Sequence, residues 1–263
     1  MKKKSIFSVS NLLLVFFMAV FIYAAVRLVL IYVGYHQADS EYAHLEENYV
    51  KEVSRNVDQS TNDDETSGMN VPFMVDFESL LKENEDTIGW VYVGACDISY
   101  PIVQTGDNDF YLTNTFEKQV NSSGAIFADF ENSSDFTDYN TFVYGHNMKN
   151  GSMFGKLKKL YREDTLWGED PYFYIFLKDG TVKKYYIFSY YITTDDSDSY
   201  TQPLTEDAMT YYMEKVKSRS SRSVDISDYA DGTPIVSLST CSGRAGGNQR
   251  LLVHGILCET GHQ

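Results

Sequence analysis

The sequence predicts a mainly β domain with inserted helices, a mixed β-barrel carried behind an N-terminal transmembrane helix. Three observations predict it. Short runs rich in β-branched and aromatic residues recur between Gly89 and Leu257, separated by turn residues. Two stretches with helical spacing interrupt those runs. The chain also opens with Lys2, Lys3 and Lys4 ahead of a long apolar stretch.

The elements follow in order. Residues 1–11 read as a cytoplasmic N-terminus and residues 12–35, Leu12 to Tyr35, as a membrane-spanning helix, since about 20 helical residues cross a bilayer core. Lysines before such a segment predict a cytoplasmic N-terminus, hence an extracellular domain on a single-pass anchor. The one charge inside, Arg27, lies in the outer third and reaches the interface along its own stem. A cleaved signal peptide is the alternative, but the apolar region exceeds the usual length of about 7–15 residues and no small-x-small site follows it. Residues 36–70 read as a stalk. Tyr42, Leu45, Tyr49 and Val53 recur at helical spacing, a short amphipathic helix whose stripe pairs chains or, more ordinarily, packs on the domain. Ser54 to Asn70 is polar and acidic and reads as a linker.

Residues 71–263 suffice for one well-buried domain. Asp76 caps a short helix over residues 77–81. Strands are expected at Gly89–Val93, Ser99–Gln104, Ala125–Phe127, Thr141–Tyr144, Tyr172–Leu177, Val182–Ile192, Pro234–Ser239 and Arg250–Leu257. Lys178-Asp179-Gly180-Thr181 marks a hairpin. Helices are expected at Gly151–Tyr161 and Thr205–Ser218, the second with Ala208, Met209, Tyr212, Met213 and Val216 on one face.

Charge narrows the partners. Four of the 22 basic residues precede residue 37 and none of the 37 acidic ones does, so beyond it 18 basic residues face 37 acidic ones, a net charge of −19. Such a domain does not bind nucleic acid through bulk charge. It favours cationic partners, an amine among them, although solubility alone accounts for much of the acidity. The three cysteines, Cys96, Cys241 and Cys258, are an odd number in an exported chain, which argues against a disulfide framework and for a working thiol. Cys96 and Cys258 are expected to be reduced and semi-buried. No cysteines or histidines show metal-ligand spacing, and Asp195-Asp196-Ser197-Asp198 lacks the rest of a calcium loop, so no metal and no cofactor is expected.

The chemistry concentrates near the C-terminus. The apolar run Val236-Ser237-Leu238-Ser239-Thr240 ends in Cys241. A loop of small residues follows, and a second apolar run begins at Arg250. This reads as two strands, with a thiol at the exit of one and a guanidinium at the entrance of the other, joined by a connection that lets both face one cleft. A thiol beside a fixed cation suits cysteine acyl transfer. Arg244 is the rival cation, but it sits in the loop, whereas Arg250 begins a strand, and charge stabilisation needs fixed geometry. The histidine such a thiol needs stands in the same setting, at the end of Thr141-Phe142-Val143-Tyr144-Gly145-His146. His254 is the rival base, but it lies inside an apolar strand and reads as structural. A buried structural cysteine and a satisfied loop histidine are the plain alternatives for Cys241 and His146.

The order His146, Cys241, Arg250 fits papain-like enzymes poorly, since these run cysteine first. With the Leu-Ser-Thr-Cys box it resembles the sortases, membrane-anchored transpeptidases of Gram-positive bacteria. Asp86-Thr87-Ile88-Gly89-Trp90-Val91, Tyr100-Pro101-Ile102-Val103-Gln104, Asp107 to Leu112, Gly124 to Asp129 and Gly145-His146-Asn147-Met148 are similar to class B sortases in particular, over roughly residues 71 to 258. The resemblance implies a sortase-like barrel and a transpeptidase that cleaves a C-terminal sorting signal after Thr, through a thioacyl enzyme on Cys241. The acyl group then passes to an amine of the cell-wall precursor or of a pilin. Partners would be sorting-signal-bearing surface proteins and that amine. The resemblance also places Asn108 and Leu112 in the substrate groove; Ser239 and Thr240 flank the nucleophile, Tyr200 is a further candidate, and plain packing is the alternative for all five. Two other functions stay open on the residues: a cysteine hydrolase on the same barrel, and a non-enzymatic peptide-binding surface module.

Overall fold

The computed structural model describes residues 9–52, 69, 71–162, 170–222, 224–243 and 246–263. Eight strands close a barrel in the order β10-β8-β7-β3-β4-β5-β6-β9, with β9 pairing β10. The strands are β3 (Thr87–Val93), β4 (Ile98–Val103), β5 (Ile126–Ala128), β6 (Asn140–Tyr144), β7 (Tyr172–Leu177), β8 (Thr181–Thr194), β9 (Ile235–Cys241) and β10 (Gln249–His262). Most neighbours are antiparallel, but β4–β5 and β6–β9 are parallel, so the barrel is mixed. The sequence expects all eight, and their ends move by a few residues. The strand residues Trp90, Ile102, Phe142, Ile175, Phe176, Leu238 and Val253 are buried. Burying each such side chain stabilises the fold by about 1.5–3 kcal/mol relative to exposure.

The helices sit outside. α2 (Phe77–Glu83) starts where Asp76 accepts from the Ser79 N–H, the expected cap. A 3₁₀ turn at Phe154–Leu157 and α3 (Lys158–Arg162) fill the first predicted insert. α4 (Glu206–Arg219) fills the second, and Thr205 caps it by accepting from the Ala208 N–H. Met209, Tyr212 and Val216 of α4 are buried, Met213 is half-buried and Ala208 is exposed, so the packed face is narrower than expected.

The largest departure is at the N-terminus. α1 (Val9–Tyr49) does not stop near residue 35; it runs on into the first part of the predicted stalk, as far as Tyr49. Its apolar part from Leu12 to Val33 is exposed almost throughout, long and apolar enough to cross a membrane. Its last turns instead bury Ala38, Tyr42 and Leu45 against the domain. Tyr42, Leu45 and the partly buried Tyr49 of the stripe therefore pack on the domain, and Val53 lies outside the described residues. β1 (Val50–Glu52) then pairs β2 (Phe73–Val75) in a small separate sheet. Residues 1–8 and 53–68, which hold the N-terminal lysines and most of the predicted linker, lie outside the described residues.

Neither Cys96 nor Cys258 is in a disulfide, as expected, but neither is semi-buried. Cys96 is fully buried, and Cys258 lies exposed near the end of β10, where the strand leaves the core.

Candidate active site

β9 and β10 place the thiol and the guanidinium directly opposite each other. Cys241 ends β9 and is the register partner of Arg250 near the start of β10. β9 is buried up to Thr240 and only Cys241 emerges into solvent, because the strand runs out of the barrel there. The parallel pairing of β6 with β9 sets Tyr144 against Ser239, so the chain leaves β6 at Gly145 and His146 beside the thiol. Gly145 N–H donates to the Ser239 carbonyl at 3.1 Å. A Cβ at Gly145 would run into Ile126 and Phe154, so only glycine lets this exit pass so close to the barrel wall.

Cys241, His146 and Arg250 line one cleft of about 240 Å³, together with Asn108, Leu112, Ser239 and Thr240. His146 Nε2 lies 2.7 Å from the Leu112 carbonyl oxygen. A carbonyl only accepts, so the contact fixes a proton on Nε2 and leaves Nδ1 as the nitrogen free to exchange one. Arg250 is held on three sides. Nη2 donates to Asp195 at 2.7 Å, and Nη1 donates to the carbonyls of Gly247 and Gln249 at 3.0 Å each. The acidic run at residues 195–198 thus supplies counter-charges: Asp195 to Arg250, and Asp198 to Lys215 and Arg219. The two cations beside Asp198 hold its carboxyl down near pH 2. Among the described residues no cluster of three or more acidic, histidine or cysteine side chains has the geometry to hold a metal.

The second group of predicted residues divides. Leu112 offers its carbonyl to His146 and keeps its side chain partly exposed on the cleft. Asn108 lines the cleft, but both ends of its amide are engaged: Nδ2 donates to Asp129 at 3.1 Å, and Oδ1 accepts from the Phe130 N–H at 3.0 Å. Tyr200 does not line the cleft. Its hydroxyl meets Ser239 Oγ at 2.8 Å, so it reaches the cleft wall through that serine. Burial pushes the Tyr200 hydroxyl up to about 12, against the Ser239 bond and the Arg250 charge. Thr240 Oγ1 is buried and has no hydrogen-bond partner among the described residues.

The rival base is structural, as expected. His254 is fully buried, Nδ1 bonds Ser237 Oγ at 2.7 Å, and its ring stacks on Tyr191. Desolvation lowers it to about 3, so it stays neutral. The rival cation, Arg244, lies outside the described residues.

Three contributors escape the sequence reasoning. Asn147 Nδ2 donates to the Cys241 carbonyl at 2.7 Å, tying the histidine loop to the thiol strand. Its place directly after His146 is the only signal for it. Asp195 is legible as an acid, but its partner is not. Gly124 has φ of +57°, and a Cβ there would lie 3.0 Å from both His146 Cδ2 and the Leu112 oxygen. Gly124 is thus the floor under the imidazole.

Known proteins resemble this chain in sequence and in fold. The family model described as "Sortase domain" matches residues 91–258. Sortase B of Listeria monocytogenes is 36% identical over 185 residues, covering 69% of this chain and 73% of that protein. Sortase B of Staphylococcus aureus is 31% identical over 169 residues, covering 63% of this chain and 67% of the relative. The crystal structure of sortase B from B. anthracis in complex with AAEK1 superposes with a TM-score of 0.69 at 28% identity, over 87% of this chain and all of that one.

Proposed function

The chain belongs to the sortase family and sides with its class B members, and from that premise we propose that Cys241, His146 and Arg250 are the groups that carry its cysteine transpeptidation. The observation that supports the assignment most is the cross-strand register of Cys241 with Arg250, with His146 lining the same cleft.

In this mechanism the Cys241 thiolate attacks the carbonyl carbon after the Thr of a C-terminal sorting signal. The carbonyl π electrons move to oxygen, and the Arg250 guanidinium stabilises that oxyanion; a positioned donor of this kind contributes about 10²–10³-fold. The three acceptors that hold Arg250 keep it at the cleft wall, so little reorganisation is needed. The C–N bond then breaks, and His146 gives its Nδ1 proton to the leaving amine. The product is a thioester on Cys241. An incoming amine attacks it, loses a proton to His146, and the C–S bond breaks to restore the thiolate. Amine acceptors at large fit the family; a cell-wall precursor or a pilin lysine is the acceptor proposed here. Leu112, Ser239 and Thr240 line the path of the peptide, Asn108 shapes it by bracing the 129–130 turn, and Tyr200 acts through Ser239.

The apolar length of α1 supports attachment to the cell membrane. The proposed orientation is N-terminus cytoplasmic and domain extracellular, which sets the enzyme where both of its substrates are.

Acyl storage is tested with hydroxylamine, a small amine that intercepts a thioester. Sorting-peptide turnover should rise with hydroxylamine and yield a hydroxamate ending at Thr. Turnover insensitive to it, with only free acid formed at every acceptor concentration, would instead mean a hydrolase on this barrel.

A further inference from the structure

The turns of α1 between Gly34 and Leu45 leave the apolar segment and cross the two loops that hold His146. On one side lies the 113–124 loop. Asn121 Nδ2 donates to the Gly34 carbonyl at 2.9 Å, and the Glu117 N–H donates to the Glu41 carboxylate at 2.9 Å. Tyr42 is the centre of this contact. Its buried hydroxyl donates to the Gly124 carbonyl at 2.6 Å and accepts from the Phe116 N–H at 3.3 Å. Gly124 is the residue that underlies the His146 ring and abuts the Leu112 oxygen on which Nε2 rests.

On the other side lies the loop that follows His146. Asn150 Nδ2 donates to the Asp39 carboxylate at 2.9 and 3.2 Å. The Tyr42 ring stands edge-on to Tyr100 with centroids 5.3 Å apart, and the Tyr100 hydroxyl accepts from the Met153 N–H at 3.0 Å. Met153 in turn bridges to Asn147. A single helix face therefore holds both flanks of the imidazole.

We infer that the juxtamembrane turns of α1 are a positioning element for His146, with Tyr42 as the positioning residue. The helix is then part of the active-site scaffold as well as an anchor. A chain cut after it would lose turnover while keeping its barrel. The inference rests on His146 as the acid–base group.

The test uses the full chain in detergent micelles or nanodiscs. Tyr42→Phe keeps the ring and removes only the hydroxyl, leaving the Gly124 carbonyl without its donor. Losing such a buried partner corresponds to a fall in kcat of about 10-fold. KM for the sorting peptide should stay within about twofold, because nothing on the peptide path is touched. A fold defect alone would not give the second signature: in a His146→Ala background, Tyr42→Phe should lower the residual turnover no further, since it acts through that ring. Wild-type kcat in Tyr42→Phe, a loss confined to KM, or a full independent loss on top of His146→Ala each overturns the inference. Should Tyr42→Phe fail to fold, Asn150→Ala at the exposed flank decides, with a fall of about threefold expected and again no further loss beyond His146→Ala. Unchanged kcat there overturns it. If His146→Ala itself keeps normal activity, the acid–base assignment fails, an outcome distinct from failure of the positioning role.

Discussion

Replacing Gly124 by alanine should damage the enzyme in two separable ways. The φ of +57° costs an L-residue about 1–2 kcal/mol before any contact is counted. The new methyl would then stand 2.5 Å from the Tyr111 carbonyl oxygen and 3.0 Å from the Leu112 oxygen. Both are backbone atoms and yield little, and forcing extra volume into packed surroundings costs about 1–3 kcal/mol. The sum is about 2–5 kcal/mol. At about 2–4 °C per kcal/mol for a domain of this size, the Tm falls by about 4–20 °C. The third neighbour, His146 Cδ2 at 3.0 Å, is a side chain and is the atom that moves. A shift of the imidazole off its line to the reacting bond costs roughly 10²-fold in kcat. Gly180→Ala is the control. Gly180 has φ of +87° in the β7–β8 hairpin with no described atom within 4 Å of a Cβ, so its alanine variant bears the conformational cost of about 1–2 kcal/mol alone and should keep full activity. Thermal unfolding followed by circular dichroism, with kcat from a quenched fluorescent sorting peptide below the transition, reads both effects. Equal Tm losses in the two variants, or wild-type kcat in folded Gly124→Ala, would refute the steric argument.

Two further outcomes follow from other parts of the molecule. Arg250→Ala should lower kcat by about 10²–10³-fold with little change in Tm, and Arg250→Lys should also be poor in the same peptide assay, because a point charge cannot serve Asp195, two carbonyls and an oxyanion at once. His254 sets the acid limit of stability. It titrates near 6.5 when unfolded and at about 3 when folded, so between those values the unfolded chain binds the extra proton. Stability is therefore whole above pH about 6.5 and declines below it, by up to about 1.4 kcal/mol per pH unit, and urea melts should show a shallower decline in His254→Gln.

The barrel strands were legible because their residues alternate or run apolar between turn signals, as in Tyr172–Leu177 and the Asp179-Gly180 hairpin. Strand ends were less so: β10 runs on to His262 through Glu259 and Thr260, whose polarity masks their pairing with Lys184 and Lys183. β1 and β2 are three residues each, too short for any period to show. The thiol, imidazole and guanidinium were legible because each ends or begins an apolar run. Their supports were not, since Asp195–Arg250, Asn147–Cys241 and Tyr42–Gly124 join residues far apart in sequence through hydrogen bonds that carry no periodic signal. The apolar spacing of Tyr42 and Leu45 did show that a helix face is buried, but not that a hydroxyl on it bonds the Gly124 carbonyl beside His146.

The central claim is that Cys241 carries the acyl group. Intact-protein mass spectrometry of the full chain mixed with sorting peptide, acceptor withheld, tests it most directly. The expected result is a mass gain equal to the acyl fragment ending at Thr, mapped to Cys241 by peptide digestion, discharged by added amine and absent from Cys241→Ala, while Cys96→Ala and Cys258→Ala still acquire it. Peptide cleavage that persists in Cys241→Ala, or an adduct on another residue, would contradict it.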